Sequence, residues 1–198
     1  FIVERDFPGV STGAEEKKMG IKSSSTRTLI LQDAKVPVEN VLGEIGRGHV
    51  IAFNILNIGR YKLGVGVVGG AKSAYEITVK YAKGRKQFNT PISDFNLTKE
   101  KLGTLAAKIY ATESSVYRTV GLFEERMSKL TAEQAKDGKE IAKSIAEYAI
   151  ECSLNKVFGT ETLDHVVDEG VQIHGGYGFM QEYEIERAYR DSRINRIF

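Results

Sequence analysis

The sequence predicts a mainly α protein: a helical bundle preceded by a few strands of an incomplete β unit. Three observations predict it. Short β-branched runs set between turn residues fill the first part of the chain. A cluster of glycines then closes that part near residue 46, where the composition changes. From residue 48 onward, apolar residues recur at spacings of three and four, the repeat of a helix face.

In chain order, Phe1-Ile2-Val3 and Thr28-Leu29-Ile30-Leu31 read as short strands, with turns at Pro8-Gly9, Thr12-Gly13 and Ser23-Ser24-Ser25. Val36-Pro37-Val38 is a connector leading to Gly43, Gly46 and Gly48. A segment this short cannot make a self-sufficient sheet, so further strands are expected upstream. Ile51, Ile55 and Ile58 mark a first helix, and Leu102, Leu105, Ile109, Val116, Val120 and Phe123 a second. Ile141, Ile145, Ala149 and Cys152 mark a third. Gly159-Thr160 is expected to break the chain before a shorter helix containing Val166, Val167 and Val171. Gly175, Gly176 and Gly178 are expected to form a loop, with a charged helix following from about Glu182. Such helices pack as an antiparallel bundle. Phe1 in place of Met, and an uncapped Arg193–Phe198 end, are read as cuts: the chain is expected to be an excerpt.

The 198 residues are 41% hydrophobic and 27% charged, a composition that builds a globular core. With 28 basic and 26 acidic residues the net charge is +2, which gives no electrostatic footprint for nucleic acid. A single cysteine, Cys152, allows no internal disulfide and agrees with a reducing compartment. No apolar run approaches the roughly 20 residues that span a bilayer.

Several apparent motifs carry no chemistry. Gly64-Val65-Gly66-Val67-Val68-Gly69 matches the dinucleotide-binding pattern, but it lies inside a helical stretch with no strand before it. Close helix packing is the better reading. His49, His165 and His174 lack metal-ligand spacing, and no metal site is expected. Asp164-His165 with Asp168-Glu169 reads as a solvated helix face. No G-x-S-x-G elbow is present, and Cys152 sits on an apolar stripe as a buried thiol.

Two stretches ask for more than scaffold. Gly84-Arg85-Lys86-Gln87-Phe88 ends the long first helix. The helix dipole alone would favour cations there. Equally, a planar Arg fork suits a phosphate and the neighbouring ring suits stacking on a base. The second stretch is Gln172-Ile173-His174-Gly175-Gly176, followed by Gly178-Phe179 and then Glu182, Arg187 and Asp191. A glycine pair lets a ligand approach backbone amides. A helix-ending turn is the competing explanation.

Together these stretches resemble the acyl-CoA dehydrogenase family. Gln172 through Asp191 matches its glycine-rich C-terminal pattern, and Arg85–Phe88 its second characteristic segment. Lys18-Met19-Gly20-Ile21, Thr26-Arg27, Val36-Pro37 and Asn40-Val41-Leu42-Gly43 agree in order, so the resemblance covers essentially the whole chain. The wording of Glu16–Lys22 and Leu56–Arg60 is most similar to long-chain and very-long-chain members.

The resemblance implies that residues 1–46 end a middle β domain and that residues 47–198 form the C-terminal four-helix bundle, truncated at its end. It implies FAD as cofactor, with Arg85 at the pyrophosphate, Phe88 against the adenosine half and Gln87 also among the cofactor-binding residues. Gln172, Ile173, His174, Gly175 and Gly176 match the cofactor-binding loop, and both stretches are expected to reach FAD held by a neighbouring subunit. A homodimer or homotetramer is therefore expected. Arg60 matches an arginine next to the acyl-CoA site, and a helix-to-helix ion pair is an equal reading for it.

The implied reaction removes two hydrogens across the α and β carbons of a fatty acyl-CoA, the first oxidation of fatty acid β-oxidation. An electron-transferring flavoprotein would be the acceptor. The catalytic glutamate is expected directly after Phe198, so no catalytic residue falls within the chain. At the alternative base position stands Gly59, which cannot abstract a proton. Asn96 replaces a flavin-contacting glutamine, and that contact is not carried over. An acyl-CoA oxidase and a non-catalytic scaffold of the same fold are the alternatives. The cytoplasm, or the mitochondrial matrix, is the expected compartment.

Overall fold

The computed structural model describes residues 1–198 and is mainly helical. Strand β1 (Val10–Glu15) pairs antiparallel with β2 (Arg27–Leu31), in the register Val10 to Leu31 and Thr12 to Leu29, with a bulge before Glu15. Thr12-Gly13 thus lies within a strand, not at a turn. The expected strand at Phe1–Val3 is absent. Ile2 is instead tied to Asn40, whose carbonyl accepts from its N–H and whose amide donates to its carbonyl, both at 2.8 Å. Two polar bonds to one residue anchor the segment without a ladder.

Five α-helices follow: α1 (Gly48–Gly84), α2 (Asn96–Met127), α3 (Gly138–Ala146), α4 (Ala149–His174) and α5 (Glu184–Ser192). Between α1 and α2 lies a hairpin of β3 (Lys86–Gln87) and β4 (Thr90–Pro91). No helix is long and apolar enough to cross a membrane.

Two helix boundaries differ from expectation. The apolar repeat from Ile141 to Cys152 is divided between α3 and α4 at Glu147-Tyr148, where the α3 capping bonds end. Conversely, Gly159-Thr160 does not break the chain, because tertiary contact requires glycine there. A Cβ on Gly159 would lie 2.9 Å from Val67 Cγ2 and 3.6 Å from Gly64 Cα. Gly64 in turn meets the Asn155 backbone, 3.1 Å from its carbonyl oxygen. The long helices α1 and α4 therefore cross glycine against glycine. Within the pattern Gly64-x-Gly66-x-x-Gly69, only Gly64 serves this close approach; Gly66 and Gly69 face open space.

One core joins four helices: Val67, Ala71 and Ala74 of α1, Leu105 and Ile109 of α2, Leu163, Val166 and Val167 of α4, and Ile185 of α5. Near the crossing the helices are also tied by polar groups. Asn155 donates to Thr119 Oγ1 at 2.6 Å and accepts from Ser115 Oγ at 2.7 Å. A buried amide satisfied on both sides avoids the cost of an unpaired polar group and sets helix register. Cys152 is fully buried, and burial pushes its thiol above the ordinary range, as suits a structural cysteine.

Candidate functional site

Helix α1 ends at Gly84, and the chain turns sharply. Arg85 N–H still bonds to Tyr81 carbonyl at 2.8 Å, while its own carbonyl accepts from Ile92 at 2.9 Å. Between these anchors Phe88 and Asn89 both have positive φ, 51° and 60°. That is the backbone of a tight hairpin turn, normally supplied by Asn-Gly. A phenylalanine there is uncommon and strained. The Phe88 ring is 91% exposed, so the strain gains no packing within the chain.

Helix α4 ends in the second stretch. Gly175 caps it with φ 61° and ψ −140°, a conformation that effectively requires glycine. Gly178 is needed for packing, since a Cβ there would meet Val171 Cα at 2.9 Å. Gly176 differs: nothing lies within 4 Å of its would-be Cβ. Its backbone is open to an incoming group.

These two helix ends meet. Arg85 and Gln87 from one, and Ile173, His174, Gly175 and Gly176 from the other, line a single cavity of about 530 Å³. Tyr81, Ile92, Tyr177 and Met180 complete it. Its volume is within the usual range for small-molecule sites. The Arg85 guanidinium pairs with no carboxylate and lies over the Tyr177 ring, 5.7 Å from the centroid. An exposed cation without a counter-ion, next to an open glycine backbone, is suited to an anion such as a phosphate.

His174 is turned inward. Its ring stacks on Tyr81 at 4.0 Å between centroids, and Nδ1 lies 2.7 Å from the Gly170 carbonyl. Burial lowers its pKa below the ordinary value, outweighing the opposite effect of the Gly170 bond. The neutral ring donates that bond, and the Tyr81 hydroxyl donates to the His174 carbonyl at 3.1 Å. His174 thus supports the wall of the cavity. Phe88 and Gln172 are exposed outside its lining.

Arg60 is exposed on α1 beside Gly59. Its Nη1 donates to Asn57 Oδ1 at 3.2 Å, within the same helix, and not to a carboxylate of another helix. The expected helix-to-helix ion pair is absent. The helix face at 164–169 is also less solvated than its charges suggest: Asp164 pairs with Arg196 at 2.7 Å and Glu169 with Lys101. Tyr81 and Tyr177 were missed by sequence reasoning. The one signal for Tyr81 is its position four residues before Arg85, where a helix-ending N–H bonds back to its carbonyl.

The two helix ends thus join an arginine without a carboxylate partner to an open glycine turn at the edge of a helical bundle. The chain matches the model of the acyl-CoA dehydrogenase C-terminal domain over residues 46–198. It belongs to the acyl-CoA dehydrogenase family. A probable acyl-CoA dehydrogenase of Bacillus subtilis (strain 168) is 76% identical over 198 residues, which are 100% of this chain and 33% of the relative. The mitochondrial very long-chain specific acyl-CoA dehydrogenase of Rattus norvegicus is 41% identical over 100% of this chain and 28% of its own length. The crystal structure of an acyl-CoA dehydrogenase complexed with FAD from Bacillus anthracis has a TM-score of 0.97 at 75% identity, covering 100% of this chain and 35% of that one. The chain therefore spans about a third, or less, of the length of these relatives.

Proposed function

We propose that the protein to which this chain belongs oxidises fatty acyl-CoA thioesters to trans-2-enoyl-CoA, as an FAD-dependent step of fatty acid β-oxidation. The observation that carries this reading is the meeting of Arg85 and Gln87 with Ile173–Gly176 around one cavity. The residues fit the cofactor: an arginine without a carboxylate partner suits a pyrophosphate, and the open backbone at Gly176 lets it approach. Arg85, Gln87, Gly175 and Gly176 would hold it, with Phe88 stacking beyond the cavity rim. FAD, when bound, supplies the two-electron redox chemistry.

The chain's own residues bind and orient. Arg85 offers a planar, charged donor fork. Gly175 fixes the turn that presents the Gly176 backbone, and His174 and Tyr81 brace that turn from within. Arg60, exposed on α1, would meet the acyl-CoA. The base that takes the α proton is assigned to the residue following Phe198. Very long-chain relatives at about 40% identity favour a long acyl chain. Electron transfer to an electron-transferring flavoprotein, and assembly as a dimer or tetramer in which both stretches reach FAD held by a neighbouring subunit, complete the reading.

The test uses the full-length protein. Its visible spectrum is recorded, and a long-chain acyl-CoA is added without oxygen. A flavin spectrum that bleaches is the expected result. A colourless protein that cannot be reconstituted with FAD overturns the cofactor assignment. An unchanged flavin spectrum overturns the substrate. Rapid reoxidation by oxygen would identify an oxidase instead.

A further inference from the structure

The glycine-rich signature ends at Asp191, a residue the cavity does not use. It stands in the last turn of α5, with its carboxylate toward the loop between β1 and β2. Asp191 Oδ1 accepts the backbone N–H of Ile21 at 2.6 Å, across 170 residues of sequence. The neighbouring Arg190 donates from Nη1 to the Met19 carbonyl at 3.2 Å. Arg190 is itself aimed by a bidentate pair with Glu186, one arm of which is 3.1 Å long. Between the two contacts Gly20 lies against α5 so closely that a Cβ would sit 2.6 Å from both the Arg190 carbonyl oxygen and Asp191 Oδ1.

The loop held in this way is not relaxed. Ile21 has φ 47°, a conformation strongly unfavourable for a β-branched residue. Such a backbone persists only where its surroundings over-determine it. The Asp191 bond falls on the strained residue itself. On the far side the loop is drawn together by Lys18, which donates to Thr26 Oγ1 at 2.9 Å and to the Ser24 carbonyl. The latch therefore joins the β1–β2 segment to the end of α5, and directly after α5 comes the single turn Arg193–Arg196 that leads to Phe198. Loop and turn face each other across a second cavity of about 510 Å³, with Met19 and Ile21 on one wall and Ile194, Ile197 and Phe198 on the other.

We infer that Asp191 is a positioning residue: by gripping Ile21 N–H it sets where the Arg193–Phe198 segment delivers the group that follows it. This rests on the dehydrogenation reading, which assigns the proton-accepting carboxylate to that following residue. The two anchoring systems are separate. The Arg85–Gly176 cavity holds the cofactor's charged half, while the Asp191 latch aims the reacting end. None of the latch residues lines the first cavity.

The test compares D191A and D191N in the full-length protein. Asn keeps an acceptor oxygen for Ile21 N–H; Ala does not. The flavin content is read from the visible spectrum, and KM and the rate of anaerobic bleaching by a long-chain acyl-CoA are measured. D191A should keep its flavin and a KM within about threefold of the parent while bleaching tenfold or more slowly. D191N should recover most of that rate. A D191A protein that holds flavin and bleaches at the parent rate overturns the inference. So does loss of flavin in D191A, with or without rescue, because the residue would then serve cofactor retention or folding. G20A forces loop and helix apart while leaving Asp191 and Ile21 unchanged in identity, because its Cβ would lie 2.6 Å from the Arg190 carbonyl oxygen and from Asp191 Oδ1. A parent-like bleaching rate in it also overturns the inference. Failure of the parent protein itself to bleach would instead count against the substrate reading.

Discussion

The leading segment and the helical bundle of this chain are held by different physics. Residues 1–47 contain no fully buried side chain, and every apolar residue of β2 is exposed. What orders this part is polar. Glu15 accepts from Thr26 N–H at 2.6 Å, Ser25 Oγ at 2.8 Å and Arg27 Nε at 2.9 Å, Lys18 ties the loop, and Asp191 grips it from afar. The bundle, by contrast, holds all 27 buried residues and is ordered by an apolar core with glycine-to-glycine helix contact. The difference teaches that the bundle can carry a ligand site at its edge at little cost to folding, whereas the leading segment depends on contacts that are directional and pH-sensitive.

The largest effect expected is in the core. Leu105 is completely buried among α1, α2 and α4, so Leu105→Ala should cost about 2–5 kcal/mol. Denaturant unfolding checks it, and a loss under 1 kcal/mol would contradict a close-packed bundle. Next comes the cavity. Arg85→Ala in the full-length protein should weaken FAD binding by about 1.5–3 kcal/mol, the worth of a charge-assisted bond, and leave the melting temperature of the cofactor-free protein unmoved. A stability loss instead would show that Arg85 belongs to the folding machinery. Gly175→Ala acts on both at once: a non-glycine residue at φ 61° and ψ −140° should lose about 1–3 kcal/mol of stability and also lower flavin occupancy. Calorimetry together with the visible spectrum separates the two effects.

The smallest effect belongs to the leading segment. The Thr26 N–H, and then Ser25 and Arg27, hold the Glu15 carboxyl at about 2, well below its ordinary 4.5. Because the folded value is the lower one, its contribution is fully present above pH about 4.5 and is lost as pH falls toward 2. Exposure to solvent keeps this contribution small. Amide exchange of Thr26 and its neighbours should speed up over that window in the parent and be pH-independent there, beyond intrinsic chemistry, in Glu15→Gln. Equal acid sensitivity in both proteins would place the acid-labile contact elsewhere.

Much of the site was legible because its signals are local. Arg85 and the Gly175-Gly176 pair each stand at a helix end, where an unpaired cation and a positive φ follow from nearby sequence. Tyr81 and Tyr177 were not legible, because each works through a residue far off in sequence: Tyr81 stacks on His174, and Tyr177 lies under Arg85. The Phe88-Asn89 turn was hidden for another reason: Phe is not a residue that normally announces a positive φ. The misplaced break at Gly159 has the same origin, since a glycine that ends a helix and one that admits a neighbouring helix look alike in sequence.

By itself, then, the sequence determined the change from strands to helices, the apolar face of α2, the family, and most of the residues that line the cavity. The face it offered for α1, Ile51, Ile55 and Ile58, is not the one that packs, since Ile55 is exposed and the core uses Val67, Ala71 and Ala74. Only the tertiary structure decided that α4 runs unbroken through Gly159, that Arg60 turns to Asn57, that His174 points inward, and that Asp191 reaches Ile21. The physical reason is range. Helix period and turn chemistry act over a few residues, whereas a close helix crossing or a bond across 170 residues exists only once the chain has packed.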